Sequence, residues 1–257
     1  MRLIDTHSHL YEEAFDEDLD EVIKRLEEQG VYKVLLPNVD QDTINRIHRL
    51  EQKRPDLFHA MMGLHPSNVK ENYRQELDTV YSWITKRPYC AIGEIGIDLY
   101  WDCTFEKEQI IAFETQIEWA IERNLPIVIH SREAFEPICN CLKKFNKEKL
   151  CGVFHSFAGD METAEKIFSL GDFKVGINGI VTFKNSGLDK TIAQLPIEKM
   201  VLETDAPYLT PTPHRGKRNE SAYLTLIAKK IAEIKEEPIE KIVKMTTQNA
   251  LELFSLG

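Results

Sequence analysis

Short apolar runs alternate with longer stretches of helical periodicity along the whole chain. The strand-like runs fall at 3–5, 33–37, 58–63, 90–94, 127–130, 152–155, 173–177 and 200–203. Helical patterns lie between them at about 16–29, 41–53, 73–87, 105–123, 133–145, 160–170 and 188–195, and another at 220–235 follows the last strand. The helical period is clearest in Ile110, Phe113, Ile117, Ala120 and Ile121, whose three-to-four spacing marks one buried face. The strands read as continuous apolar runs, as expected when helices cover one face and side chains pack the other. Eight strand–helix units predict parallel strands joined by right-handed crossovers, a (β/α)8 TIM barrel of the α/β class. A dinucleotide-binding sheet would place a glycine-rich turn after its first strand, and here that turn is Thr6-His7-Ser8-His9. The tail over 239–254 reads as two short helices covering the barrel base, with Pro238 at a helix start and a cap at Thr247 or Gln248. No linker or low-complexity tract interrupts the pattern, so residues 1–257 are read as one domain.

Polar residues recur where the apolar runs stop. His7 and His9 follow the first run, Glu94 ends the fourth, His130 the fifth and His155 the sixth, and Asp205 closes the eighth. In a parallel barrel these strand ends converge on one mouth, where nitrogen and oxygen donors can hold metal. Residues two apart on a strand point the same way, so both imidazoles of His7-x-His9 are expected to face one ion. Glu94 lies among isoleucines and glycines, where an unpaired charge is costly. It is therefore read as a carboxylate able to bridge two cations. His130 and His155 end adjacent units and suggest a second ion. Asp205 is the expected carboxylate partner, as ligand or as proton acceptor from water, and Glu203 is a further catalytic candidate on the same face.

Two substrate contacts are expected. His65 follows the third strand, and the loop 213–219 carries Arg215, Lys217 and Arg218 where barrels often bind phosphate. There is no Gly-x-Ser-x-Gly elbow and no P-loop, so the chemistry points to activated water.

The bulk numbers narrow the setting. At 257 residues the length is typical for one such barrel. With 32 basic against 42 acidic residues the net charge is −10, which argues against a broad basic surface for nucleic acid but not against local phosphate contacts near divalent ions. No apolar run approaches about 20 residues, and the acid at Asp5 is unlike a signal peptide. Five scattered cysteines read as reduced thiols of a cytoplasmic protein. No obligate protein partner is evident.

In combination and order, the motifs resemble the TatD-type metal-dependent deoxyribonucleases of the amidohydrolase superfamily over nearly the whole length. They are Asp5-Thr6-His7-Ser8-His9, Gly63-Leu64-His65-Pro66, Gly93-Glu94-Ile95-Gly96-Ile97-Asp98, His130-Ser131-Arg132, Phe154-His155-Ser156-Phe157, Glu203-Thr204-Asp205-Ala206-Pro207-Tyr208-Leu209 and Pro213-His214-Arg215-Gly216-Lys217-Arg218-Asn219-Glu220. The resemblance implies that His7, His9, Glu94 and Asp205 surround one divalent ion, and Glu94, His130 and His155 another. It also implies DNA as substrate, cut by a water that gives its proton to Asp205 or Glu203. The donor set suits Zn²⁺, Mn²⁺ or Co²⁺, while the family is often described as magnesium-dependent. The same donors would serve an amidohydrolase or lactonase acting on a small molecule, and a degenerate barrel that only binds its ligand is a third reading. Ser221 departs from the family pattern, which commonly carries proline there, and puts the conformation of that loop in question.

Overall fold

The structure, a computed structural model, describes residues 1–100 and 102–257. Among them strands and helices alternate: β1 (Leu3–Asp5), α1 (Leu19–Glu28), β2 (Val31–Leu36), α2 (Gln41–Lys53), β3 (Phe58–Ala60), α3 (Tyr73–Lys86), β4 (Ile92–Asp98), α4 (Glu106–Arg123), β5 (Ile127–Arg132), α5 (Phe135–Leu142), β6 (Cys151–Phe154), α6 (Met161–Ser169), β7 (Asp172–Ile177), α7 (Leu188–Gln194), β8 (Met200–Leu202), α8 (Leu224–Lys235) and α9 (Ile239–Phe254). All the strand pairs are parallel and in sequence order. Two seams close the ring. Met62 bridges to Ile92 between β3 and β4, and Ser8 bridges to Ala206 between the ends of β1 and β8. Backbone bonds from Thr6 N to Leu202 O and from Asp205 N to His7 O complete the second seam. The expected TIM barrel is the observed fold.

Two apolar layers follow from the parity of the strands. Leu3, Val34, Leu36, Phe58 and Ile129 face outward into the large core under the helices. Ile4, Leu35, Met61, Ala91, Val128, Val153 and Val201 face inward and fill the lumen. The lumen is plugged from below by Ala250, Phe254 and Leu256, so the chain's last helix does cover the barrel base. It is one continuous helix, not two. The polar residues that suggested a break bond within it or beside it: Thr247 Oγ1 donates to Arg2 O, and Gln248 Nε2 to Glu252 Oε1.

Two strands run past their expected ends. β4 continues through Asp98 and β5 through Arg132, paired in register, so Glu94 and His130 lie within strands and not at their termini. β4 also carries a bulge: Ile92 opposes Ile127, but Ile95 opposes Ile129, so three residues advance against two. A one-residue slip exchanges the two faces of a strand. Ala91 faces the lumen below the bulge, while above it Ile95 packs in the outer core. Glu94 therefore points inward. Gly96 lies beyond it at φ +148°, and a Cβ there would come within 2.0 Å of His130 O. Only glycine allows β4 and β5 to pass this closely beside the mouth.

No helix among the described residues is long and apolar enough to cross a membrane.

Phe254 is 3 % exposed beneath the lumen. Phe254→Ala is expected to lower unfolding stability by about 3–5 kcal/mol, the usual cost of emptying such a site, measured by urea denaturation.

Candidate metal centre

The turn after β1 is shaped by Asp5. Its carboxylate accepts Thr204 N at 2.9 Å and Thr204 Oγ1 at 2.6 Å, tying β1 to the end of β8. Burial pushes the Asp5 carboxyl up to about 7, against hydrogen bonds from Ser221, Thr204 and the His7 backbone. Beyond this tie the chain leaves the strand, so His7 and His9 sit in the turn that follows β1. Their Nε2 atoms lie 3.2 Å apart. Asp205 reaches them from a left-handed conformation, φ +59°, which aspartate tolerates better than most residues. That bend takes Asp205 off the face expected from strand alternation.

The donor atoms converge. Glu94 Oε2 is 3.1 Å from His7 Nε2 and 3.9 Å from His9 Nε2, while Asp205 Oδ1 is 3.6 Å and 3.4 Å from the same two nitrogens. The other oxygen, Glu94 Oε1, is 2.9 Å from His130 Nδ1, 3.0 Å from His155 Nε2 and 3.4 Å from His65 Nε2. Ligands about 2.1 Å from a shared cation lie roughly 3–3.5 Å from one another, so these spacings fit a metal on each side of Glu94. The chemistry fits as well: several nitrogens and oxygens, no thiolate, and lone pairs aimed at one another inside a buried space. His65, expected as a substrate contact, is brought against the Glu94 oxygen as a further donor.

Neighbouring groups hold the rings in place. Tyr11 donates its hydroxyl to Pro37 O at 2.7 Å, so it accepts from His9 Nδ1 at 2.8 Å, leaving the His9 Nε2 lone pair for the centre. Asp98 Oδ2 lies 2.9 Å from His130 Nε2. Helix α4 grips the strand ends through two glutamines: Gln109 brackets the Asp98 backbone, and Gln116 bonds both Leu64 N and Leu64 O beside His65. The sequence did carry signals for these residues. Asp98 is two steps of two from Glu94 on one strand, and Gln109 and Gln116 are seven apart on an otherwise apolar helix face.

Electrostatics couple the cluster. Burial would raise the Glu94 pKa, yet the imidazoles of His155, His7 and His65 hold it well below the usual carboxylate range. Asp205 is likewise held down against its burial, mainly by His9. Burial depresses His7, helped by the nearby His155. His155 goes the other way, raised well above its ordinary value by Glu94 and Glu203 despite burial. His130 is also raised despite burial, by Asp98 and Glu94.

Several expected residues lie elsewhere. Glu203 is not at the mouth beside Asp205. It is fully buried, and its Oε1 accepts Ser156 N at 2.6 Å and lies 3.5 Å from His155 Nδ1. Gly176 makes room for it, since a Cβ there would meet Glu203 Oε2 at 2.0 Å. The basic loop is turned away from the centre. Arg218 is clamped to both oxygens of Asp18 at 2.7 Å each and stacks on Phe15. Arg215 donates to Thr210 O and stacks on Phe183. Neither they nor Lys217 lines the cleft of about 740 Å³ above the donors, whose walls include His65, Ser67, Ser131, Arg132, Ser156 and Tyr208. The loop containing Ser221 is well anchored: Ser221 Oγ lies 3.3 Å from Ser8 Oγ, and Asn219 Nδ2 donates to Thr204 O and Tyr208 O.

A family model described as TatD related DNase matches residues 4–255. The chain belongs to the TatD family. Among its relatives is the uncharacterized metal-dependent hydrolase YabD of Bacillus subtilis, 37 % identical over 256 residues and aligned over 99 % of this chain and 100 % of YabD. The crystal structure of YjjV, a TatD homolog from Escherichia coli, superposes with a TM-score of 0.91 at 28 % identity, covering 99 % of this chain and 98 % of YjjV. A hydrolase TatD family protein from Entamoeba histolytica shares the fold, with a TM-score of 0.84 at 21 % identity over 100 % of this chain and 99 % of that one. This TatD-family chain is thus a metal-dependent hydrolase, and its donor cluster lies where a barrel enzyme carries its chemistry.

Metal uptake requires neutral imidazoles. Because the pKa values of His155 and His130 are raised in the metal-free protein, both remain protonated to higher pH, and an incoming ion must displace those protons. Affinity for Zn²⁺ or Mn²⁺ is therefore expected to fall as pH drops through these raised values, with protons released on binding. Calorimetry in buffers of different ionisation enthalpy measures the release, and a proton count of zero at neutral pH would contradict it.

Proposed function

We propose that this protein is a deoxyribonuclease that hydrolyses phosphodiester bonds of DNA with two divalent ions bound on either side of Glu94. The observation that carries the reading is the division of the Glu94 carboxylate, one oxygen facing His7 and His9 and the other facing His130, His155 and His65. Two divalent ions so held would supply charge neutralisation for a phosphoryl group and an acidified water. Zn²⁺ or Mn²⁺ suits the nitrogen-rich set better than Mg²⁺, which prefers oxygen.

The chain's own groups then divide the work. Asp205 borders the cleft and is held ionised by its histidine neighbours, so it can take the proton of the attacking water and return it to the leaving oxygen. Water oxygen forms the new bond to phosphorus as the bond to the leaving nucleoside oxygen breaks. The wall of the cleft offers Ser67, Ser131 and Ser156 as hydrogen-bond donors to phosphate. Arg132 is the one guanidinium among the described lining residues, with its plane 3.8 Å over the Tyr100 ring. It takes the phosphate-contact role first expected of the basic loop.

Glu94→Ala, which removes the carboxylate that would hold both ions, and Asp205→Asn, which removes the proton acceptor, are each expected to reduce cleavage of a labelled oligonucleotide by at least about 10²-fold. Undiminished nuclease activity in either would sink the assignment. Arg132→Ala should raise KM for DNA more than it lowers kcat, whereas Arg218→Ala should lower the melting temperature and leave KM for DNA unchanged; the reverse pattern would return the phosphate contact to the loop.

A further inference from the structure

Three buried polar atoms beneath the centre have no hydrogen-bond partner: His7 Nδ1, His155 Nδ1 and Glu203 Oε2. They belong to one group, since His7, His155 and Glu203 each bring a donor atom within 4.8 Å of the others. The two imidazoles lie face to face, with centroids 4.0 Å apart and planes within 12°. Their Nε2 edges meet the two oxygens of Glu94 from one side. On the opposite edge, Glu203 Oε1 is 3.5 Å from His155 Nδ1.

We infer that Glu203 is a shared positioning residue, whose two carboxylate oxygens accept the Nδ1–H groups of His7 and His155 and so orient one ring of each half of the centre. This rests on the two-ion reading above. A metal-ligating imidazole uses one nitrogen and carries its proton on the other, and an acceptor for that proton fixes both tautomer and ring orientation. His9 has such a partner in Tyr11 and His130 in Asp98. Among the described residues, only Glu203 groups with both His7 and His155.

A buried carboxylate without partners is costly, and Glu203 is 0 % exposed. The donations from Ser156 N and, at 3.5 Å, from Asn178 Nδ2 both fall on Oε1, which leaves Oε2 for the second ring. Full burial also removes Glu203 from contact with any substrate. It is therefore a residue that acts through the two histidines.

A glutamine is nearly isosteric but neutral: its one oxygen is a weaker, uncharged acceptor for one ring, and its amide N–H atoms would oppose the other ring's Nδ1–H. Glu203→Gln should thus disturb both rings, whereas Asp98→Asn should disturb only the His130 side. The test titrates chelator-stripped full-length protein with Zn²⁺ by calorimetry. Wild type is expected to show two uptake steps. Both should weaken about 10–100-fold in Glu203→Gln, a typical effect of removing such a partner, and only one should weaken in Asp98→Asn. Gly176→Ala, which pushes a methyl group into the Glu203 carboxylate, should reproduce the double loss. In the zinc-loaded, ¹⁵N-histidine-labelled protein, two exchange-protected Nδ1–H resonances should shift or vanish in Glu203→Gln. Either uptake step within twofold of wild type, or unchanged Nδ1–H resonances, would overturn the inference. Intact uptake in Glu203→Gln with lost turnover would overturn it too, by making Glu203 a participant in the chemistry. A single uptake step in the wild type would instead overturn the two-ion reading, and with it the sharing, so the two failures are told apart.

Discussion

Glu94 is a carboxylate buried to 2 % exposure with five imidazoles within 3.9 Å. Five of the chain's eight histidines are gathered around one acid. Such a cluster is expensive to take out of water, because the rings crowd one another around a buried charge and two of their nitrogens, His7 Nδ1 and His155 Nδ1, have no hydrogen-bond partner. A bound metal ion would resolve that crowding by turning competing lone pairs into ligands of one charge. The rest of the mouth can be read as what is needed to keep these side chains pointed inward before an ion arrives: a bulge in β4, a glycine where β4 passes β5, glutamines gripping strand ends, and acceptors behind the rings.

The barrel makes this affordable by separating two tasks. Below the mouth the lumen is apolar, closed by Phe254 of the last helix and by Leu256 just beyond it. Above it the same inward parity presents polar atoms. Rigidity below supports precision above, as catalytic constellations require when they are built on strands. Glu203 lies at the boundary between these layers, in the space left by Gly176, and is the only carboxylate among the described residues that faces the underside of both stacked histidines.

The family assignment establishes a metal-dependent hydrolase, and the geometry adds where specificity can reside. The cleft is lined by the carboxylates of Glu12, Glu94, Asp98 and Asp205, by histidines, by the hydroxyls of Ser67, Ser131, Ser156 and Tyr208, and by Arg132, while the basic loop engages Asp18 through Arg218 and Phe183 and Thr210 through Arg215. On the proposed reading, that arrangement would let an acidic protein hold phosphate at one place instead of over a broad face.

The alternation of apolar runs and helical periods by itself determined the parallel barrel and a helical cover for its base, though not that this cover is one continuous helix, because burial on both faces of a strand leaves a local signature. It also determined that His7, His9, Glu94, His130, His155 and Asp205 would share a mouth, because chain order and strand direction alone place strand ends together. The tertiary structure decided what depends on a side chain's final direction. The bulge exchanged the faces of β4 and so aimed Glu94 and Asp98, a shift of one residue that composition does not record. The left-handed turn at Asp205 separated it from Glu203, sending one to the cleft and the other beneath the rings. His65 lines the cleft and is also brought against the Glu94 carboxylate, because Gln116, 51 residues further along the chain, holds the backbone of its neighbour Leu64. Arg218 was taken from phosphate by Asp18, a partner 200 residues away. These are pairings between distant segments, and their outcome rests on which partner the fold brings within reach.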